Sequence, residues 1–422
     1  MVYSWHDFLE FLHFICNLSL WLCTATLLYD VMLVLFGLPN NRRLARISHH
    51  KVNPKTRFAI VISARNEEKV IAYLIRSLLS LKYPKELYGV FVIADNCTDN
   101  TAIVAERAGA TVMERFDESR ATKGYALNWF FERNLEDLLK NYDHCVIFDA
   151  DNLVDPHFLT YMDRHIQAGA VALAGYRDSK NPSENAIAGA NSLFWLNQMR
   201  FLNQARSNLD LSMTSVSGTG FSFDLRLIQE NGWQTETLTE DLEFTMQLIL
   251  RGYQVQFVKE AVFYDEQVSE FKQMLRQRFR WGVGTAQTLR LCIKRLFVRG
   301  IKFDSSTLDA FWFLARIPFF LIITILSILR MVLRLSDQDL QLSSFYLDMA
   351  MPIMYFVGSI LLMCLLVKLE GKKIKDYYKG ILGYPLLSMI WGAQQLGALF
   401  FKDASWRPIK HNRAVEIESL RK

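Results

Sequence analysis

Hydrophobic positions fall into two regimes along this chain. Phe8 to Leu38 is a long apolar stretch whose only charges are Glu10 and Asp30, and Leu308 to Leu335, Tyr346 to Val367 and Ile381 to Phe401 form three more. A bilayer core takes about 20 apolar residues per helix, and each stretch is near or above that length. The pattern predicts a transmembrane helix within 1-40 and a region of two to three spans within 306-402. Between them the patterning is that of a soluble domain. Phe58 to Ser63 reads as a strand, followed by a helix with Val70, Ile71, Leu74, Ile75, Leu78 and Leu79 on one face. Gly89 to Asp95 reads as the next strand, with a helix to Ala108, then Thr111 to Glu114, then a buried strand at Cys145 to Phe148. Strand and helix alternating at this rhythm predict a parallel sheet with crossover helices. Further on, Ser183 to Asn208 reads as one long helix and Ser215 to Phe223 as a glycine-containing turn or strand. Leu242 to Leu250 reads as a helix with Thr239 as its N-cap, and Gln267 to Arg295 as a basic, aromatic helix lying against a membrane.

Charge sets the orientation. Arg42, Arg43, Arg46, Lys51, Lys55 and Arg57 follow the first span, and Lys294, Arg295, Arg299 and Lys302 precede the second, which puts the domain between them in the cytoplasm. The Ser336 to Ser344 loop, with two Asp and no basic residue, fits the far side, and Lys368, Lys372, Lys373, Lys375 and Lys379 bring the chain back. The tail (Lys402, Arg407, Lys410, Arg413) is basic as well, so Ile381 to Phe401 either crosses against the charge rule or re-enters; Pro385, Gln394 and Gln395 suit a cavity-lining segment. The first stretch lacks a basic leader and a small-residue cleavage site, which points to an anchor in place of a signal peptide. A net charge of +5 concentrated beside the spans describes a lipid-facing collar and no nucleic-acid surface. The 6 cysteines are widely spaced without a C-x-x-C, so reduced thiols are expected, not a disulfide framework or a zinc site.

The chemistry gathers at HCVIFDADNLVD, His144 to Asp155, where a buried strand ends in two carboxylates, Asp149 and Asp151. Taken alone, such a pair is a solvated acidic turn. At the carboxyl end of a strand it is also a place for a hard cation bridging to a diphosphate. Glu67 and Asp95 fall at the ends of two other strands, so all these acidic tips can converge on one crevice. Lys123, beside Gly124 at a helix start, suits a phosphate clamp. Asp241, at the start of another helix, suits a general base, and Arg280 with Trp281 would place a cation and an aromatic face where a membrane mouth meets the site.

Several of these stretches, in one order, resemble a known pattern. Asn66-Glu67, Asp95 with Thr98-Asp99-Asn100-Thr101, Lys123, Asp149-Ala150-Asp151, Thr239-Glu240-Asp241 and Gln277-Arg278-Phe279-Arg280-Trp281 are similar to inverting family 2 glycosyltransferases. Within them the match is to the membrane-embedded branch of cellulose, chitin, hyaluronan and poly-N-acetylglucosamine synthases. The resemblance covers Arg57 to Trp281. It implies an α/β, GT-A-type (Rossmann-like) domain with a mostly parallel sheet at 41-265, inserted between transmembrane helices. Interfacial helices would follow at 266-305 and a short tail at 403-422.

The resemblance places Glu67 and Asp95 around uridine, Lys123 and Arg280 on the diphosphate, and Asp149 and Asp151 on nucleotide and Mg²⁺ or Mn²⁺. Asp241 would be the base; Trp281, Gln277 and Glu240 would meet the acceptor, with Gly218 and Thr219 in an acceptor-lining turn. It implies transfer from a UDP-sugar, UDP-GlcNAc or UDP-glucose, to a growing β-linked polysaccharide coupled to export. Single addition to a membrane lipid acceptor and a catalytically silent scaffold are the alternatives, and the partners implied are the UDP-sugar, a polysaccharide or glycolipid acceptor and the bilayer. The chain departs from the branch at Ser63 and Arg65, where a proline and an aromatic residue are usual, and at Ala94-Asp95-Asn96-Cys97, where two adjacent Asp are common. With few residues after Phe401, a C-terminal cyclic-di-GMP domain is not expected.

Overall fold

A computed structural model describes residues 5–302, 304–336, 342–404 and 413–420. Most of the Ser336 to Ser344 loop, and Arg407 and Lys410 of the tail, lie outside the described residues. The chain opens with α1 (Trp5–Gly37) and α2 (Arg42–His49). It then alternates β1 (Phe58–Ala64), α3 (Ile71–Leu79), β2 (Tyr88–Asp95), α4 (Thr101–Arg107), β3 (Thr111–Arg115), α5 (Lys123–Asn141) and β4 (His144–Asp149). Next come β5 (Leu153–Val154), α6 (Phe158–Gln167), β6 (Ala172–Ser179), α7 (Ala186–Asn197), α8 (Gln204–Asn208), β7 (Phe221–Asp224), α9 (Glu240–Leu250) and β8 (Val255–Asp265). Four long helices complete it: α10 (Phe271–Gly300), α11 (Ser305–Ser336), α12 (Leu342–Leu369) and α13 (Ile374–Ala398).

All eight strands form one sheet, in the order β3-β2-β1-β4-β7-β6-β8-β5. Among the described residues β1/β2, β1/β4, β2/β3 and β6/β8 are parallel, whereas β4/β7, β6/β7 and β5/β8 are antiparallel. The sheet is therefore mixed, where alternation alone predicts parallel pairing throughout. The reason lies in where the chain re-enters: β7 starts opposite Ile147, near the carboxyl end of β4, and runs back to pair Asp224 with His144. A strand entering from that edge must run away from it, which keeps the Ser217 to Gly220 turn beside Asp149.

Both sheet faces are covered, so β1 reads as a continuous apolar run. Phe58, Ile60 and Ile62 pack in one buried cluster with Val92, Phe148 and Phe158. Ala59 and Val61 pack in the other, which holds Phe130, Phe131, Phe223 and Trp233 and continues into Leu366, Val367, Tyr377 and Ile381 of α12 and α13. Gly189 and Gly380 let α7 and α13 cross backbone to backbone: a Cβ on Gly380 would lie 2.3 Å from the Gly189 carbonyl carbon.

The helix expected over Ser183 to Asn208 starts at Ala186, because the Asn185 carboxamide oxygen caps Ile187 and Ala188 at 3.0 and 2.9 Å. It continues to Asn208 through a π-turn at Gln198–Asn203. Thr239 stands at the N-cap of α9, but among the described residues its buried hydroxyl has no capping bond and no partner. Glu243 ties down the preceding turn, accepting from the Glu236 and Thr237 amides at 2.8 Å each.

Among the described residues one helical stretch, Ser305–Leu329, is long and apolar enough by itself to cross a bilayer. Trp21–Gly37 and Arg42–His49 pass together as a pair bent by 40°, and Ile353–Leu369 is apolar but shorter. On these segments Trp21, Leu27, Leu28, Ile325, Ile328, Ile353 and Met354 are exposed, as are Leu382 and Leu386 on α13.

Candidate active site

The carboxyl ends of β1, β2 and β4 open on one cavity of about 570 Å³. Glu67, Asp95, Lys123, Asp149, Asp151, Gly218, Glu240, Asp241, Gln277, Arg280 and Trp281 all line it. Thr219 does not: it is 1% exposed, and its hydroxyl donates to the Asn152 carboxamide oxygen and accepts from the Asp149 amide at 2.9 Å. That bond fastens the glycine turn to the acidic one. Ser217, Gly218 and Gly220 have φ of +63°, +76° and +65°, and a Cβ on Gly220 would come within 2.0 Å of the Phe263 ring.

The first two strand ends are laced together. Asn66, at φ +59°, accepts from the Thr98 amide at 2.8 Å, the Thr101 hydroxyl takes the Glu67 amide at 2.8 Å, and Glu68 accepts from the Asn100 amide at 3.1 Å. Asp95 is buried, which pushes its carboxyl upward, and the Arg115 guanidinium opposes that shift through a direct ion pair.

Lys123 opens α5 and bridges the site. Its ammonium pairs with the Asp149 carboxylate and donates to the Gly218 carbonyl at 2.6 Å. Burial works against this charge, yet Asp149, Glu240 and Asp241 hold the ammonium above its ordinary value. Asp151 is more deeply set: its carboxylate accepts from the Glu266 amide at 3.0 Å and the Asn152 carboxamide at 3.3 Å, and its carbonyl accepts from Lys180. Burial lowers Lys180, against Asp151, Glu266, Asp265 and Glu67 around it.

Asp241 faces the same space from the start of α9 and accepts from the Ser215 hydroxyl at 3.2 Å. Next to it Glu240 is pushed up to about 7 by burial and by the Asp241 charge, against the pull of Lys123 and Arg280. Arg280 donates to the Leu238 carbonyl at 3.1 Å. Gly284 allows this approach, since a Cβ there would sit 2.6 Å from Thr239.

Beyond Asp241 the wall turns aromatic. Trp281 stands edge-on to Trp195 at 5.8 Å, and Phe194, Tyr384 and Trp391 continue the lining. Arg278 is buried among them, 3.9 Å from the Phe194 centroid, 4.0 Å from Trp391 and 4.8 Å from Trp281, with Asn191 accepting from it at 2.8 Å. Burial lowers its guanidinium to about 9. Arg177 lies 3.8 Å over Trp195, pairs with Asp265, and donates to the Ser217 carbonyl at 2.9 Å.

Arg115, Arg177, Lys180, Asp265, Trp195 and Trp391 escape sequence reasoning. The basic residue ending β3 (Arg115) and the acid ending β8 (Asp265) are the signals that could have found two of them.

The arrangement has hard oxygen donors on one turn, cations beside them, and a carboxylate at the boundary with an aromatic lining. Among the described residues no group of three or more His, Cys, Asp or Glu is placed to hold a metal by itself. The pair Asp149 and Asp151 still suits a cation that takes its remaining ligands from phosphate and water, as Mg²⁺ does. Lys123 supplies an internal cation at Asp149.

Comparison with known proteins gives consistent results. The chain is 25% identical over 410 residues to the probable glycosyltransferase YdaM of Bacillus subtilis, covering 91% of this chain and 92% of that protein. It is 29% identical over 245 residues to the beta-monoglucosyldiacylglycerol synthase of Nostoc sp., covering 54% of this chain but only 49% of that protein. Among solved structures it is similar to the mannosyltransferase PcManGT of Pyrobaculum calidifontis, in complex with GDP-Man and Mn²⁺, with a TM-score of 0.56 at 15% identity, covering 88% of this chain and 99% of that one. That likeness shows the shared α/β GT-A fold. The model of glycosyltransferase-like family 2 matches residues 54–284, which contain the acidic turn, the helix bearing Asp241 and Trp281, and the chain belongs to that family.

Proposed function

We propose that this protein is an inverting, membrane-bound glycosyltransferase that moves a hexose from a UDP-sugar to a β-linked glycan and extends that glycan processively. The observation carrying this is the single cavity that joins Asp149, Asp151 and Asp241 to the aromatic lining of Phe194, Trp195, Trp281, Tyr384 and Trp391. Aromatic rings suit sugars where a side stays open to the cavity, Arg177 covering one face of Trp195 and Arg278 one face each of Phe194 and Trp391, and a lining longer than one ring suits an acceptor longer than one sugar. UDP-GlcNAc and UDP-glucose are the donors this reading favours.

Asp241 takes the proton of the acceptor hydroxyl as its oxygen bonds to the anomeric carbon. The bond from that carbon to the donor phosphate breaks on the opposite side, and an α-linked donor gives a β-linked product. Lys123 and Arg280 meet the charge that collects on the leaving diphosphate. Asp149 and Asp151 would hold a Mg²⁺ or Mn²⁺, whose contribution is further neutralisation of that diphosphate. Glu67 and Asp95 line the same cavity at the ends of β1 and β2, where the nucleoside would sit. The exposed apolar side chains of α1, α11, α12 and α13 support a multi-pass placement with the sheet domain on the cytoplasmic side.

Purified protein offered a panel of UDP-sugars with Mg²⁺ or Mn²⁺ should release UDP with one donor and yield long chains. Asp241→Asn should lower the rate by about 10²–10⁴-fold. Silence across all donors, or an unaffected Asp241→Asn variant, would overturn the reading. A second reading, addition of one sugar to a membrane lipid, is favoured by the likeness to the diacylglycerol-directed relative and by the α11 and α13 side chains in the cavity wall. A single glycolipid product in place of a ladder would establish it.

A further inference from the structure

The cavity that holds Asp241 does not end at the aromatic lining. Its lining also includes Phe313 and Arg316 of α11, and Arg316 lies inside the apolar stretch Ser305–Leu329. An ionisable side chain in such a stretch is costly, and it marks a functional place when it faces a cavity. Among the described residues its carboxylate partner is Asp30 of α1, 3.9 Å away. Asp30 is itself about half exposed, and Leu27, Leu28, Val31 and Met32 around it are exposed too.

The neighbouring acid is engaged differently. Asp309 accepts from Arg206 at 2.7 and 3.3 Å and from the Tyr29 hydroxyl. Arg206 is 1% exposed, and among the described residues its Nη1 has no hydrogen-bond partner. The junction of α1, α8 and α11 thus holds two guanidiniums, one loosely paired and one with an unmet donor. It meets the acceptor cavity on one side and an apolar flank on the other.

We propose that this junction seats the phosphate of a membrane lipid, with Arg316 as the principal ligand and the acyl chains along the exposed faces of α1 and α11. A planar guanidinium binds phosphate through two parallel hydrogen bonds, which a 3.9 Å contact with one carboxylate does not use. The flank bearing Asp30 is coated with apolar side chains, which suits an amphiphile and not a water-soluble anion. This site rests on the membrane placement proposed above and not on the transfer chemistry.

The test is binding of phosphatidic acid to the purified full chain, followed by native mass spectrometry, against diacylglycerol with the same acyl chains and against glycerol phosphate. Wild type should bind phosphatidic acid and neither of the others. Arg316→Gln should weaken binding about tenfold or more, the worth of a charged hydrogen-bond pair. Asp30→Asn, which removes the competing carboxylate, should bind at least as tightly as wild type, and Asp241→Asn should bind like wild type while failing in transfer. Equal weakening in Arg316→Gln and Asp30→Asn would reduce the pair to a structural brace and overturn the site. Equal binding of diacylglycerol or of glycerol phosphate would overturn it as well. Carbonate extraction reads membrane placement independently, so loss of lipid selectivity in a protein that stays in the bilayer counts against this site alone.

Discussion

Glu240 is the residue whose charge state the surroundings decide. Burial and Asp241 push it up to about 7, so between 4.5 and 7 the folded protein holds a proton that the unfolded chain has released. Its contribution to stability is fullest below 4.5 and declines as pH rises through that window. Glu240→Gln should therefore lose less stability than wild type across it, measured by thermal unfolding at stepped pH. Donor binding carries the same signature. Below 7 the neutral carboxyl leaves more of the Lys123 charge for a diphosphate, so the donor KM should rise through pH 7 in wild type and stay flatter in Glu240→Gln. Gly220 is decided by sterics: with φ +65° and the Phe263 ring 2.0 Å from where a Cβ would go, Gly220→Ala should cost about 2 kcal/mol or more in denaturant unfolding. At this scale the sequence made Asp149, Asp151, Lys123 and Asp241 legible, because each stands at the end of a readable strand or helix. It hid Arg177 and Asp265, which lie 88 residues apart and become partners only when β6 and β8 pair.

Elements were legible where one period ran unbroken. β1, β2, β3 and β4 fall where the apolar runs place them, within a residue or two at their ends. The direction of β7 was hidden, because composition does not record the edge at which a strand re-enters a sheet. Helix contacts were hidden for a related reason: the Gly189 and Gly380 crossing pairs two residues that look unremarkable in their own segments. Gly380→Leu should force α7 and α13 apart and lower both thermal stability and UDP release. Gly397→Leu, on the same helix with nothing among the described residues within 4 Å of the new Cβ, should leave stability close to wild type.

For the whole molecule, the continuity of the core matters most. One buried cluster runs from Phe221 and Phe223 under the sheet to Leu366, Val367, Tyr377 and Ile381 in the last two helices. A chain cut after α10 should therefore expose apolar core and aggregate, as followed by size-exclusion chromatography, even though its sheet is intact. The apolar ends were plain in the sequence, but their fusion with the sheet domain was not, since hydropathy reports length and composition and not what a helix packs against. The π-turn at Gln198–Asn203 shows how closely these parts are geared. A π-turn holds one residue more than an α-helical turn, and that surplus rotates everything after it by about 100°. Arg206, which follows the turn, pairs with Asp309 of α11 at 2.7 Å. Deleting one residue from the turn would leave the helix continuous and its composition almost unchanged, yet swing that guanidinium off its target. The surplus residue acts as a phase setting, a single unit of chain length that aims a buried charge at a helix more than a hundred positions downstream.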